Sequence, residues 1–119
     1  RVLFRSAHPA YDLVSLLEDA RRDVAPELAA ALRDRFFERA GLSDRDAFDA
    51  AYALAGAQRN AKILGIFVRL ARRDSKPRYL SMIPRVARHF VRDLSHPAAA
   101  EIRRWCKDCA PFVFEEARR

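Results

Sequence analysis

Glycine occurs only three times in this 119-residue chain. That is too few for the repeated tight turns of an all-β fold, and no glycine-rich phosphate loop is present. Cysteine occurs twice. Cys106 and Cys109 form a single C-x-x-C, and a structural zinc site needs two further ligands at workable spacing. His89 and His96 are nearby but not in a zinc-finger arrangement, so the expectation is two reduced thiols and no bound metal. No serine, cysteine or histidine has a partner spacing that suggests a nucleophile and its base. His8, His89 and His96 read as turn or surface residues. No apolar run approaches the ~18 residues of a membrane span, and the N-terminus lacks a secretory hydrophobic region. The chain is therefore expected to be cytoplasmic, without a membrane partner.

What the sequence does contain is ordinary globular material, half hydrophobic and one third charged, in an amount that fits one domain. Alanine is abundant, and the apolar positions recur at helical spacing, which predicts an all-α fold of about five helices. Residues 1–6, RVLFRS, match nothing downstream and resemble a translated sequencing adapter. They are set aside, with the natural sequence expected to start near Ala7 and the gene to be truncated upstream. The first helix is expected over 9–23, opened by Pro9, with Leu13, Leu16, Leu17 and Ala20 as a stripe widened by Tyr11 and Val14. A second runs over 26–40, with Leu28, Ala31, Leu32, Phe36 and Phe37 inward and Gly41 as the stop. Ser43 is the expected cap of a third, with Asp46 completing a capping box. Its periodicity reaches about Asp74, a span of ~48 Å at the helical rise. A compact domain of this size has a radius of gyration of about 13 Å, so the helix either bends near Gly56 or Gly65 or lies across a larger body. The fourth helix is expected over 77–94, kinked by Pro84, and the fifth over 97–109, ended by Pro111.

Three groups of residues carry possible chemistry. Asp12 sits in the first turn of an otherwise apolar helix, where it is either a solvent-facing acid or a buried carboxylate needing hydrogen-bond donors. Glu18, Asp19, Arg21, Arg22 and Asp23 crowd the end of the same helix, as surface ion pairs or as the wall of a polar pocket. In the third helix Gln58, Arg59 and Lys62 share a face, with Gly65 following, opposite a stripe of Leu54, Ala57, Ala61, Leu64 and Val68. Such a face suits the hydroxyls or anionic groups of a sugar-like ligand, and is otherwise an exposed strip. The net charge of +7 raises anionic partners generally. The arginine pairs at 21–22, 72–73 and 103–104 lack a helix-turn-helix or interleaved aromatics, so nucleic acid is not the expected partner.

Across residues 7–105 the sequence resembles the C-terminal helical part of the aminoglycoside phosphotransferase and choline-kinase-like superfamily. The likeness within it is to bacterial sugar 1-kinases acting on N-acetylmuramate and N-acetylglucosamine in cell-wall recycling. The residues that carry it are HPAYDL at 8–13 with SLL at 15–17 and DARR at 19–22, then GAQRN at 56–60 with KILGIF at 62–67. KPRYL at 76–80, Pro84-Arg85, Arg92-Asp93-Leu94 and His96-Pro97 continue it. The resemblance implies a two-lobed phosphotransferase using ATP and Mg²⁺ on a sugar hydroxyl, by positioning and charge neutralisation. It implies that residues 7–119 are part of the C-terminal lobe, partnered by an N-terminal lobe that holds the nucleotide, and that the catalytic and metal-binding motifs precede Ala7. No catalytic residue and no cofactor ligand is then expected in this chain. By the same resemblance Asp12 braces the catalytic loop, and Glu18, Asp19, Arg22, Gln58, Arg59 and Lys62 are candidates for the acceptor site. Ser75 stands where the family's turn has glycine. The alternative reading is a free-standing basic helical module for an anionic ligand or RNA.

Overall fold

The computed structural model describes residues 9–73 and 77–119, and among them every regular element is helical. The adapter-like segment 1–6, His8 and Ser75 lie outside the described residues. Six α-helices follow in order: α1 Pro9–Leu17, α2 Pro26–Arg39, α3 Arg45–Arg73, α4 Ile83–Leu94, α5 Ala100–Cys109 and α6 Phe112–Ala117. Short 3₁₀ segments, Pro77–Met82 and Pro97–Ala99, lead into α4 and α5. The all-α expectation holds, with one helix more than expected because the chain turns helical again directly after Pro111.

Pro9 opens α1, and Ala10, Leu13, Val14 and Leu17 are buried along one stripe. The helix stops at Leu17, six residues short of the expected 9–23. The Asp19 carboxylate takes the backbone N–H of Arg21 at 2.8 Å, a local bond that competes with the helical ladder. The chain that leaves α1 carries Glu18 and Ala20 into the interior.

Pro26 opens α2, and its end is a Schellman motif around Gly41, whose φ is 69°. The Gly41 N–H bonds the Glu38 carbonyl at 3.2 Å and the Leu42 N–H bonds that of Phe37 at 3.3 Å. A left-handed residue is needed there, which is why glycine occupies it. Of the α2 residues expected inward, Leu32, Phe36 and Phe37 are half-buried while Leu28 and Ala31 are exposed. The helix packs instead through Ala29 and the Phe36–Phe48 and Phe37–Phe48 ring contacts, at 5.9 and 5.6 Å.

The cap of α3 is Asp44, whose carboxylate accepts the Ala47 N–H at 3.0 Å; Ser43, the expected cap, lies one residue too early. The 29-residue helix continues to Arg73, a length of ~43 Å that matches the molecule's longest dimension of 45 Å. Of its expected apolar stripe, Ala57 and Leu64 are buried and Val68 half-buried, while Leu54 and Ala61 are exposed. Gly56 marks the close crossing of α3 and α4: a Cβ placed there would fall 2.6 Å from Asp93 Cγ. Pro84 does not kink a long helix. It stands in the first turn of α4, where a missing N–H costs nothing, and 77–82 is wound as a 3₁₀ segment before it.

Two apolar clusters result. One joins α1 to Ala29, Phe48 and Tyr52; the other joins Ala57 and Leu64 of α3 to the inner face of α4, with Cys106 and Val113. Among the described residues no helix is long and apolar enough to cross a membrane.

Candidate functional site

The polar residues at the end of α1 meet α3 and α4 between the two apolar clusters. Asn60 is fully buried. Its side-chain amide donates to Glu18 Oε1 at 2.8 Å and to Asp93 Oδ2 at 3.1 Å, so one NH₂ group ties three elements together. Glu18 and Asp93 are each 4 % exposed. Burial raises the Asp93 pKa far above the carboxylate range, and the adjacent Glu18 charge adds to it. Asp93 thus keeps its proton to higher pH than a free carboxyl does. Tyr52, also buried, is shifted upward by burial and by Glu18.

Next to this knot the Asp19 carboxylate forms a two-point pair with the Arg21 guanidinium, at 3.1 and 2.9 Å. The Arg21 hydrogen bonds hold the Asp19 pKa at about 2, so it is a carboxylate at any neutral pH. A cleft of about 240 Å³ opens here, lined by Asp19, Ala20, Arg21, Arg59, Ile63 and Phe67. Arg59 is half-buried, and its Nε is enclosed with no hydrogen-bond partner. Enclosed donors without partners are uncommon. Behind the cleft Arg85 of α4 binds Asp23 at 2.6 and 3.1 Å and the Ala20 carbonyl at 2.8 Å, which fixes the loop after α1.

Of the residues singled out in the sequence, Asp19 and Arg59 therefore share a cleft, with Arg21 beside them. Glu18 lies inside, in the buried knot. Arg22, Gln58 and Lys62 are exposed and do not line this cleft, and Asp12 is exposed on the first turn of α1. Asn60 and Asp93 were missed as site residues, although each is a polar residue on an apolar helical stripe: Asn60 between Ala57 and Leu64, Asp93 after Val86, Ala87 and Phe90. His89 corrects the surface expectation. It is buried in α4 with both ring nitrogens unpartnered, and burial lowers its pKa. His96 caps the 3₁₀ segment at 97–99, its Nδ1 accepting the Ala98 N–H at 3.0 Å.

Cys106 is buried and Cys109 exposed, both as free thiols. Among the described residues no three histidine, cysteine or carboxylate side chains come together as a metal site.

No protein-family model matches the chain. It is similar to the N-acetylmuramate/N-acetylglucosamine kinase of Caulobacter vibrioides, 48% identical over 113 residues, which is 95% of this chain and 30% of that protein. The enzyme of the same name from Neisseria meningitidis serogroup B is 42% identical over 70% of this chain and 27% of its own length. That from Pseudomonas aeruginosa is 36% identical over 77% of this chain and 29% of its own length. The chain thus spans about 30% of the length of these curated relatives.

Proposed function

We propose that this chain is the helical part of an ATP-dependent sugar kinase of the aminoglycoside phosphotransferase type, and that the Asp19–Arg59 cleft is its contribution to the acceptor-sugar site. The kinase half of the reading is supported by relatives named as N-acetylmuramate/N-acetylglucosamine kinases, up to 48% identical along nearly the whole chain. The observation that carries the site is that Arg59, whose Nε is enclosed and unpartnered, lines the same cleft as an ionised Asp19.

A sugar offers that pair complementary groups. Its hydroxyls donate to the Asp19 carboxylate, and a ring or acyl oxygen, or the carboxylate of a sugar acid, accepts from Arg59. Ile63 and Phe67 supply an apolar wall, against which one face of a sugar ring packs. In this reading binding energy is used to orient the acceptor hydroxyl, and phosphoryl transfer takes place on residues of the N-terminal part of the enzyme. In this reading ATP and Mg²⁺ are held by that part of the enzyme. Asp12, exposed on the first turn of α1, braces a loop of that other part in this reading, the role that the resemblance implies.

The test uses the full-length protein that carries this segment. ATP-dependent phosphorylation of N-acetylmuramate or N-acetylglucosamine is expected, and Arg59→Ala is expected to raise the sugar KM by about tenfold or more while leaving the ATP KM unchanged. Absence of sugar phosphorylation overturns the kinase reading. An Arg59→Ala effect confined to the ATP KM overturns the placement of the acceptor site.

A further inference from the structure

Between the second half of α3 and the C-terminal helices lies an apolar cleft of about 350 Å³, which shares no lining residue with the Asp19–Arg59 cleft. Buried Leu64 and Phe90 line it together with Trp105 and Phe112, each more than half exposed. Its side chains carry no charge, and their only polar groups are the Trp105 indole N–H and the Cys106 thiol. Through Val68, Ile83 and Phe112 it continues into a second cleft of about 240 Å³, bordered by Leu80, which is also more than half exposed. Uncovered apolar surface of this extent around a concave trough marks a binding site.

The α3 wall of this trough is cationic along its outer edge. From Gln58 to Arg73 the helix carries Arg59, Lys62, Arg69, Arg72 and Arg73, and no acid. Lys62, Arg69 and Arg72 are exposed, and none has a carboxylate within ion-pair distance among the described residues. Each stands one helical turn from a residue that lines the trough: Lys62 and Arg69 flank Gly65, and Arg72 follows Val68. Acids do not offset them. Glu116, which borders the second cleft, is engaged by Arg119 at 3.6 Å, and Glu101 and Asp108 of α5 line neither cleft. Gly65 leaves the trough open, since a Cβ placed there meets nothing within 4 Å.

We propose that this trough binds a single-chain amphiphilic anion of the fatty-acid class, its alkyl chain lying in the apolar cleft and its carboxylate at the outer edge among Lys62, Arg69 and Arg72. An alkyl chain needs no hydrogen-bond partner, and removing it from water drives its entry. The carboxylate stays at the solvent edge, where guanidinium forks donate to it and no desolvated charge is created. A sugar or nucleotide finds almost no partner here for its hydroxyls or ring nitrogens, which sets this ligand class apart from that of the Asp19–Arg59 cleft. A concave trough admits one chain, whereas the flat surface of a bilayer leaves its floor unfilled.

The inference does not rest on the kinase reading. Its test is isothermal titration of the full-length protein that carries this segment with dodecanoate, decanoate and dodecyltrimethylammonium, each below its critical micelle concentration. Saturable binding of dodecanoate is expected, about tenfold tighter than that of decanoate, because each buried methylene contributes about three- to fourfold. Dodecyltrimethylammonium, with the same chain and the opposite charge, is expected to bind about tenfold or more weakly. Gly65→Leu fills the trough and is expected to weaken dodecanoate binding by about tenfold or more without lowering the urea midpoint of unfolding, since leucine is the better helix former. Arg69→Ala combined with Arg72→Ala, both at exposed positions, is expected to weaken dodecanoate by about tenfold and to leave its advantage over decanoate intact, while Arg35→Ala, an exposed cation on α2, leaves binding unchanged. Absence of saturable binding, as when a second copy or another part of the enzyme covers this face, overturns the proposal. So does binding that ignores chain length, equal affinity for the cationic amphiphile, or undiminished binding in Gly65→Leu.

Discussion

Asp93 lies 3.1 Å from an amide that it shares with Glu18, inside the protein and, among the described residues, without a paired cation. In the unfolded chain this carboxyl ionises near its ordinary value of 3.8, whereas burial in the fold keeps the proton on to much higher pH. The folded state therefore binds more protons than the unfolded one across neutral pH, and stability falls as pH rises. This is the opposite of the usual paired carboxylate. His89 has the other sign, since its lowered pKa costs stability only as pH drops below about 6.5. Between pH 7 and 9 the Asp93 effect stands alone of the two. There the wild-type unfolding free energy is expected to fall by up to about 1.4 kcal/mol per pH unit, and Asp93→Asn to abolish most of that slope. Urea denaturation at several pH values measures both; an equal slope in the variant would mean that Asp93 is ionised in the fold. At this scale the sequence was partly legible. Asp19 and Arg59 were visible as polar residues at suggestive positions, whereas Asn60 and Asp93 occupied apolar stripes and were read through.

Helix α3 illustrates the element scale, because its existence was plain from periodicity while its ends were not. Both Ser43 and Asp44 are good caps, and only the bond from the Ala47 N–H to Asp44 decides between them. Asp44→Ala is expected to destabilise the protein by about 1 kcal/mol and Ser43→Ala to have almost no effect, read as shifts in urea midpoint at constant slope. The reverse order would return the cap to Ser43. Helix α1 shows the same limit. Its stripe continued through Ala20 on paper, but the Asp19–Arg21 bonds and the grip of Arg85 on the Ala20 carbonyl bend the chain out of the helix after Leu17. Pro84, a kink on pattern grounds, became a helix start because the preceding residues wind as 3₁₀.

On the scale of the whole molecule, α3 runs the length of a 45 × 32 × 29 Å body and contributes to both apolar clusters, with the Glu18–Asn60–Asp93 knot between them. Phe48 and Phe90 are the large aromatic anchors of the two clusters, 2 and 5 % exposed. Truncating either to alanine is expected to cost about 3–5 kcal/mol. Because one helix and one hydrogen-bonded knot span both halves, hydrogen exchange should show protection lost throughout the chain in each variant; loss confined to the mutated half would mean that the clusters unfold separately. The helical class, the number of turns in α2 and the Gly41 stop were all contained in local order along the chain, since propensity, periodicity and capping act within a few residues. The knot joins residues 42 and 33 positions apart, and the Asp19–Arg59 cleft joins the loop after α1 to the middle of α3. Those meetings depend on how the helices cross, at Gly56 against Asp93 above all, and a crossing is settled by packing between distant segments, on which local periodicity is silent.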